Sequence, residues 1–139
     1  MTIAFPTRMS FGLLLLRMIP GLIFLSEGLQ KMLFPDTLGV GRFAQLGFEH
    51  PAFWAGLTGG VEIGCGCLLI IGLLARWATL PLLIVMGVAF AKTKWPELIT
   101  KGFWAMAHDY RTDFAMTLAL VAILSTGPGD WSVDNKMRK

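Results

Sequence analysis

The sequence predicts an all-α fold, an integral membrane bundle of four transmembrane helices in one membrane domain over residues 1–139. Three observations carry that prediction. First, 55% of the residues are hydrophobic and only 15% are charged, with a mean hydropathy of +0.64; soluble domains average about 45–50% apolar and about 25% charged. Second, the apolar residues gather into four stretches. Third, all five tryptophans fall near the ends of those stretches, at the headgroup level where an amphipathic ring is stable.

The helices are expected over residues 10–33, 52–74, 77–95 and 109–126. The first stretch, "SFGLLLLRMIPGLIFLSEGLQKML", and the second, Ala52 to Leu74, exceed the roughly 20 residues a span needs. The third is apolar from Trp77 to Ala91 and spans only by taking in residues up to Trp95. The fourth, "TDFAMTLALVAILST", begins at Thr112 and borrows the residues before it. Trp54 opens the second stretch, Trp77 joins it to the third, Trp95 closes the third, and Trp104 and Trp131 bracket the fourth. The N-terminal stretch is too long for a cleaved leader, contains Arg17 and lacks a small-residue cleavage site, so it is expected to stay as a span.

Four spans put both termini on one side, with Arg8, Arg76, Lys136, Arg138 and Lys139. Lys31, Arg42, Lys92, Lys94, Lys101 and Arg111 fall on the other. Assigning Lys31 and Lys92 to their helices favours cytoplasmic termini by a small margin. The pI near 9.1 comes without a basic helix or RNA-binding motif, so no nucleic-acid partner is expected. The basic residues read as topology signals or contacts with the lipid bilayer. "GVGRF" at residues 39–43 reads as a flexible loop rather than a dinucleotide turn. No Walker loop, nucleophile elbow or zinc motif is present, and no metal is expected. His50 and His108 read as loop residues.

The chemistry-bearing residues lie inside the spans. Arg17, Gly21, Phe24, Gly28 and Lys31 recur at steps of four and three, which places them on one helical face. Glu27 precedes Lys31 by four residues, the favourable order for an ion pair. In the second span, Gly56, Gly60 and Gly64 form a stripe of small residues suited to helix contact. Glu62 points almost oppositely, on a face shared with Gly59 and Gly66. The helix is therefore expected to pack through its stripe and to present a carboxylate with the other side. In an antiparallel hairpin, Arg17 and Glu62 fall at depths differing by about 5 Å. An unpaired charge at that depth costs at least about 2.5–3.5 kcal/mol, so two readings stand. One is an Arg17–Glu62 bridge that fixes packing. The other is a polar cavity around the two residues that binds a head group or handles protons, with Glu27, Lys31 and Asp113 at its wetter mouth and Glu62 as the candidate catalytic group. Cys65 and Cys67 lie about 200° apart on a helix, which forbids a disulfide between them and leaves packing as their role.

"RMIPGLIFLSEGLQK" (Arg17–Lys31), "GGVEIGCGCLLIIGLLAR" (Gly59–Arg76) and "TGPGDWSVD" (Thr126–Asp134) resemble the DoxX/DoxD family in order and spacing. The shared positions are Arg17, Gly21, Phe24, Gly28 and Lys31, then Glu62, Gly66, Gly72 and Arg76. Met86, Gly127, Pro128, Gly129, Ser132 and Asp134 complete the pattern. Glu27 and the two cysteines depart from it. The resemblance implies a four-helix protein of the bacterial cytoplasmic (inner) membrane. It also implies a place in a redox-linked, quinone-associated complex, as a subunit of a quinone-linked oxidoreductase. On that expectation quinone is the ligand, and Arg17, Phe24, Glu27, Lys31, Glu62, Met86 and Asp113 are the binding residues. Glu62 and Arg17 would meet the head, with Phe24 and Met86 as apolar walls. The chain carries no electron carrier of its own, so a soluble or membrane redox partner protein is expected, with a homo-oligomer as a further expected partner. The alternatives are a non-catalytic membrane scaffold or assembly partner, and a small-molecule or lipid-binding membrane protein.

Overall fold

The computed structural model describes residues 7–139, with side chains from Ser10 onward; the side chain of Arg8, used in the charge count, lies outside the described residues. Four long helices form a ring of neighbours. α1 (Thr7–Leu33) packs most extensively on α3 (Pro51–Ile71), α3 packs on α4 (Ala75–Ala89), α4 on α6 (Phe103–Thr126), and α6 returns to α1. Two short helices, α2 (Val40–Gln45) and α7 (Val133–Met137), close opposite ends of the ring. A π-helical turn, Phe90–Lys94, continues α4 into α5 (Trp95–Lys101).

Ser10–Leu33, Pro51–Ile71 and Ala75–Lys101 are long and apolar enough to cross a membrane. α6 is 24 residues long, but its first third carries His108, Asp109, Arg111 and Asp113. Phe24, Leu69, Leu82, Met86, Met116, Leu120 and Ile123 are buried between the helices. Leu15, Ile19, Leu22, Ile84, Val88, Leu118 and Val121 point outward, an apolar exterior suited to a hydrocarbon solvent. The five tryptophans are exposed as well, Trp104 at 83% and Trp77 at 71%.

Several boundaries differ from the sequence expectation for local reasons. α3 stops at Ile71 rather than residue 74 because Gly72 turns left-handed (φ 75°) and donates its N–H to Leu68 O, a glycine helix stop. The third span runs past residue 95 to Lys101, because Pro96 stands in the first turn of α5, where its missing N–H costs nothing. Gly102 (φ 91°) then breaks the chain, and α6 begins at Phe103 instead of residue 109. His108 is therefore helical rather than in a loop. The loop expected at residues 39–43 is largely helix α2, with Phe43 buried against the bundle. A six-residue helix has too short a periodic pattern to stand out in a sequence.

Candidate functional site

Close glycine contacts set the register of α1 against α3. A Cβ on Gly21 would lie 3.2 Å from Gly66 O, and one on Gly28 would lie 2.7 Å from Gly59 O and from Ile63 Cγ1. Backbones at this separation tolerate only glycine. The glycine face of α1 thus meets the Gly59–Glu62–Gly66 face of α3. This reverses the expected arrangement on α3: the carboxylate lies on the packed face, and Gly56, Gly60 and Gly64 look outward with nothing within 4 Å of a Cβ.

The same register separates Arg17 from Glu62. Ile70 stands opposite Arg17, eight residues beyond Glu62 and so about 12 Å along the helix. Side chains on a helix also lean toward its N-terminus. On antiparallel helices Arg17 and Glu62 therefore lean apart, whereas Lys31 and Glu62 lean together. Lys31 Nζ lies 2.9 Å from Glu62 Oε2 and donates to Oε1 at 3.3 Å. Glu27, one turn back on α1, lies 3.8 Å from the same ammonium. Glu62 is 4% exposed. Its Oε2 is close to Lys31 but off the hydrogen-bonding direction, and accepts no hydrogen bond. An Arg17–Glu62 bridge, and a cavity built around both residues, are accordingly replaced by a Glu27–Lys31–Glu62 network at the α2 end of the bundle.

That network forms the polar wall of a cavity of about 630 Å³, within the roughly 300–1,000 Å³ typical of ligand sites. α1 contributes Glu27 and Lys31, α2 Arg42 and Phe43, and α3 Trp54, Leu57, Thr58, Val61 and Glu62. α4 and the π-helical turn add Pro81, Ile84, Val85, Val88, Lys92 and Thr93. π-turns recur at functional sites, and this one places Lys92 and Thr93 on the cavity wall. Lys92 Nζ sits 5.0 Å over the Phe48 ring, which packs in turn against Phe43 and Trp54. The arrangement can hold an amphiphile: a donor and an open acceptor sit on one buried wall, with aliphatic surface beside them.

Of the residues expected at the site, Glu27, Lys31 and Glu62 meet in this cavity. Phe24 and Met86 are core residues, 1% and 7% exposed, and do not line it. Asp113 pairs with Lys94 at 4.0 Å, away from the cavity. Arg42, Lys92, Thr58, Thr93 and the Phe43–Phe48–Trp54 cluster were absent from the expected set. Their signal is spatial: α2 and the π-helical turn bring them together from distant stretches.

Arg17 serves the opposite end. It is 1% exposed and donates to Pro128 O at 2.6 Å, Trp131 O at 2.9 Å and, more weakly, Ile70 O at 3.4 Å. Asp134 receives the N–H groups of Leu74 and Ala75 at 2.8 and 3.0 Å, a carboxylate at the start of α4 where the helix dipole favours it. Ser132 caps α7 by accepting from Asn135 N, and Ser10 donates to Asp130. The "GPGDWSVD" segment is thus a clamp that ties the chain's end to α1 and to the α3–α4 turn. Cys65 is half-buried and Cys67 exposed, both as free thiols.

Comparison with known proteins agrees with this architecture. The chain is 48% identical over 130 residues to Rv3486, an uncharacterized membrane protein of Mycobacterium tuberculosis, across 89% of this chain and 80% of that protein. No solved structure matches it. The family model for DoxX matches residues 12–95, from the Arg17 end of α1 through the cavity wall to the start of α5, and the chain belongs to the DoxX family of membrane proteins.

Proposed function

We propose that this chain is the membrane-embedded subunit of a redox-linked, quinone-associated complex in a bacterial cytoplasmic membrane, and that its cavity binds the quinone. One observation carries the reading: the Lys31–Glu62 ion pair, 2.9 Å apart with Glu62 buried, stands on the wall of a largely apolar cavity. A quinone head fits the donor set, since its carbonyl oxygens accept and its reduced form also donates.

In this reading Lys31 Nζ donates to a carbonyl of the head, and Glu62 Oε2 accepts from a hydroxyl. A bound quinone supplies two-electron, two-proton redox chemistry, with electrons delivered by a partner protein. Glu27, half exposed beside Lys31, links this buried pair to the wetter edge of the bundle and can carry protons toward Glu62. Leu57, Val61, Ile84 and Val88 wall the apolar tail. Arg17 contributes by holding the bundle's other end. The outward Gly56–Gly60–Gly64 face favours a second reading, a non-catalytic assembly partner, because it is open to another helix.

Mass spectrometry of small molecules retained in mild detergent tests the proposal, comparing the parent with Glu62→Gln at matched folding. Quinone held by the parent and lost from the variant is the expected result. Quinone in neither, or equally in both, would remove the support for a head at Glu62.

A further inference from the structure

The charges lining the cavity do not cancel locally. Glu27, Lys31 and Glu62 form one network with two carboxylates and one ammonium. Arg42 and Lys92 line the same cavity, yet among the described residues neither has a carboxylate within 4.0 Å. Both side chains are exposed. Neither position is loose, however. Lys92 lies over Phe48, and α2, which carries Arg42, is anchored by buried Phe43 and by the Gly41 N–H bond to Pro35 O at 2.8 Å. Below the two cations run Leu57, Ile84 and Val88, which are 47%, 69% and 45% exposed and so open to hydrocarbon.

Two cations without a carboxylate partner, above an apolar groove at the end of a membrane helix bundle, match a phosphate with an acyl chain attached. We infer that the cavity mouth is a binding site for an anionic phospholipid. Arg42 and Lys92 hold its phosphate, and one chain lies along Leu57, Val61, Ile84 and Val88, the groove given to the quinone tail above, so lipid and quinone occupy it in alternation. The inference rests on reading the cavity as an amphiphile site, and it does not require the quinone. Basic pockets between membrane helices recognise anionic headgroups in this way, each cation near the surface favouring the anion by about 5-fold and two by about 30-fold.

The test is native mass spectrometry of the full chain in detergent with equal amounts of phosphatidylglycerol and phosphatidylcholine of the same acyl composition. The parent is expected to retain phosphatidylglycerol about 30-fold over phosphatidylcholine, Lys92→Gln about 5-fold, and Arg42→Gln/Lys92→Gln neither preferentially. Equal retention of the two lipids by the parent would overturn the inference without recourse to any variant. A preference that survives the double substitution would overturn the assignment to these residues. Arg42→Lys, which keeps the charge, is expected to keep the preference, and its loss there would count against a charge-based site. Excess inorganic phosphate is expected to leave the lipid bound; complete displacement would assign the mouth to a free anion instead. Glu62→Gln separates the two proposals, because it removes quinone on the reading above and leaves the phosphatidylglycerol preference intact on this one.

Discussion

Replacing Gly72 by alanine should unlock the clamp at the Arg17 end. Gly72 has φ 75°, and a left-handed backbone costs an L-residue about 1–2 kcal/mol. The added Cβ would stand 2.5 Å from Ser132 Cβ and 2.8 Å from Arg17 Nη1, so one of them must move. Both belong to the same lock: Ser132 adjoins Trp131, whose carbonyl receives Arg17, and Arg17 also donates to Pro128 O. Losing one hydrogen bond from a charged donor costs about 1.5–3 kcal/mol. The total is about 2.5–5 kcal/mol, which lowers the unfolding midpoint in detergent by about 5–20 °C at about 2–4 °C per kcal/mol. Limited proteolysis should then cut within residues 127–139 sooner than in the parent. Gly56→Ala is the matched control, since its Cβ meets nothing within 4 Å and alanine suits a helix interior better by about 0.5–1 kcal/mol. If Gly72→Ala melted with the parent and kept its C-terminal segment protected, the clamp reasoning would be wrong.

Other perturbations follow from the same geometry. Lys31→Met leaves Glu62 buried without its cation and should destabilise by about 3–5 kcal/mol; adding Glu62→Leu should recover most of that, and a double-mutant cycle showing no coupling would contradict the pair. Gly28→Ala drives a methyl into Gly59 O and Ile63, each 2.7 Å away, and should cost about 1–3 kcal/mol, read as a lower unfolding midpoint. Asp134→Ala removes the carboxylate that receives the Leu74 and Ala75 N–H groups; a loss of about 0.5–2 kcal/mol should appear as faster hydrogen exchange at those two amides.

The four-helix architecture was legible because its signal is additive. Apolar runs and end-placed tryptophans report on the solvent each segment faces, and the exposed leucines and isoleucines of α1, α4 and α6 show that solvent is hydrocarbon-like. The Gly21–Gly28 face of α1 was legible too, since its spacing sets a helix face. What failed was register. Arg17 and Glu62 seemed to share a depth because both spans were counted from their apolar edges, but the glycine contacts slide α3 so that Ile70 faces Arg17. The stripe Gly56–Gly60–Gly64 misled for a related reason: small residues mark a face that can be approached closely, and α3 has two such faces. Arg42 and Lys92 were invisible as site residues because a six-residue helix and a π-helical turn assemble them.

The proposed quinone head lies against the Lys31–Glu62 pair, with its tail along Leu57, Val61, Ile84 and Val88. Photocrosslinking the full chain in lipid nanodiscs with a quinone bearing an azide on its tail, followed by peptide mapping, tests it most directly. Label is expected on Leu57, Val61, Ile84 and Val88, competed by excess unmodified quinone and lost in Glu62→Gln. Label spread over the outward face of Gly56, Gly60 and Gly64, or undiminished by competitor and by the substitution, would contradict it.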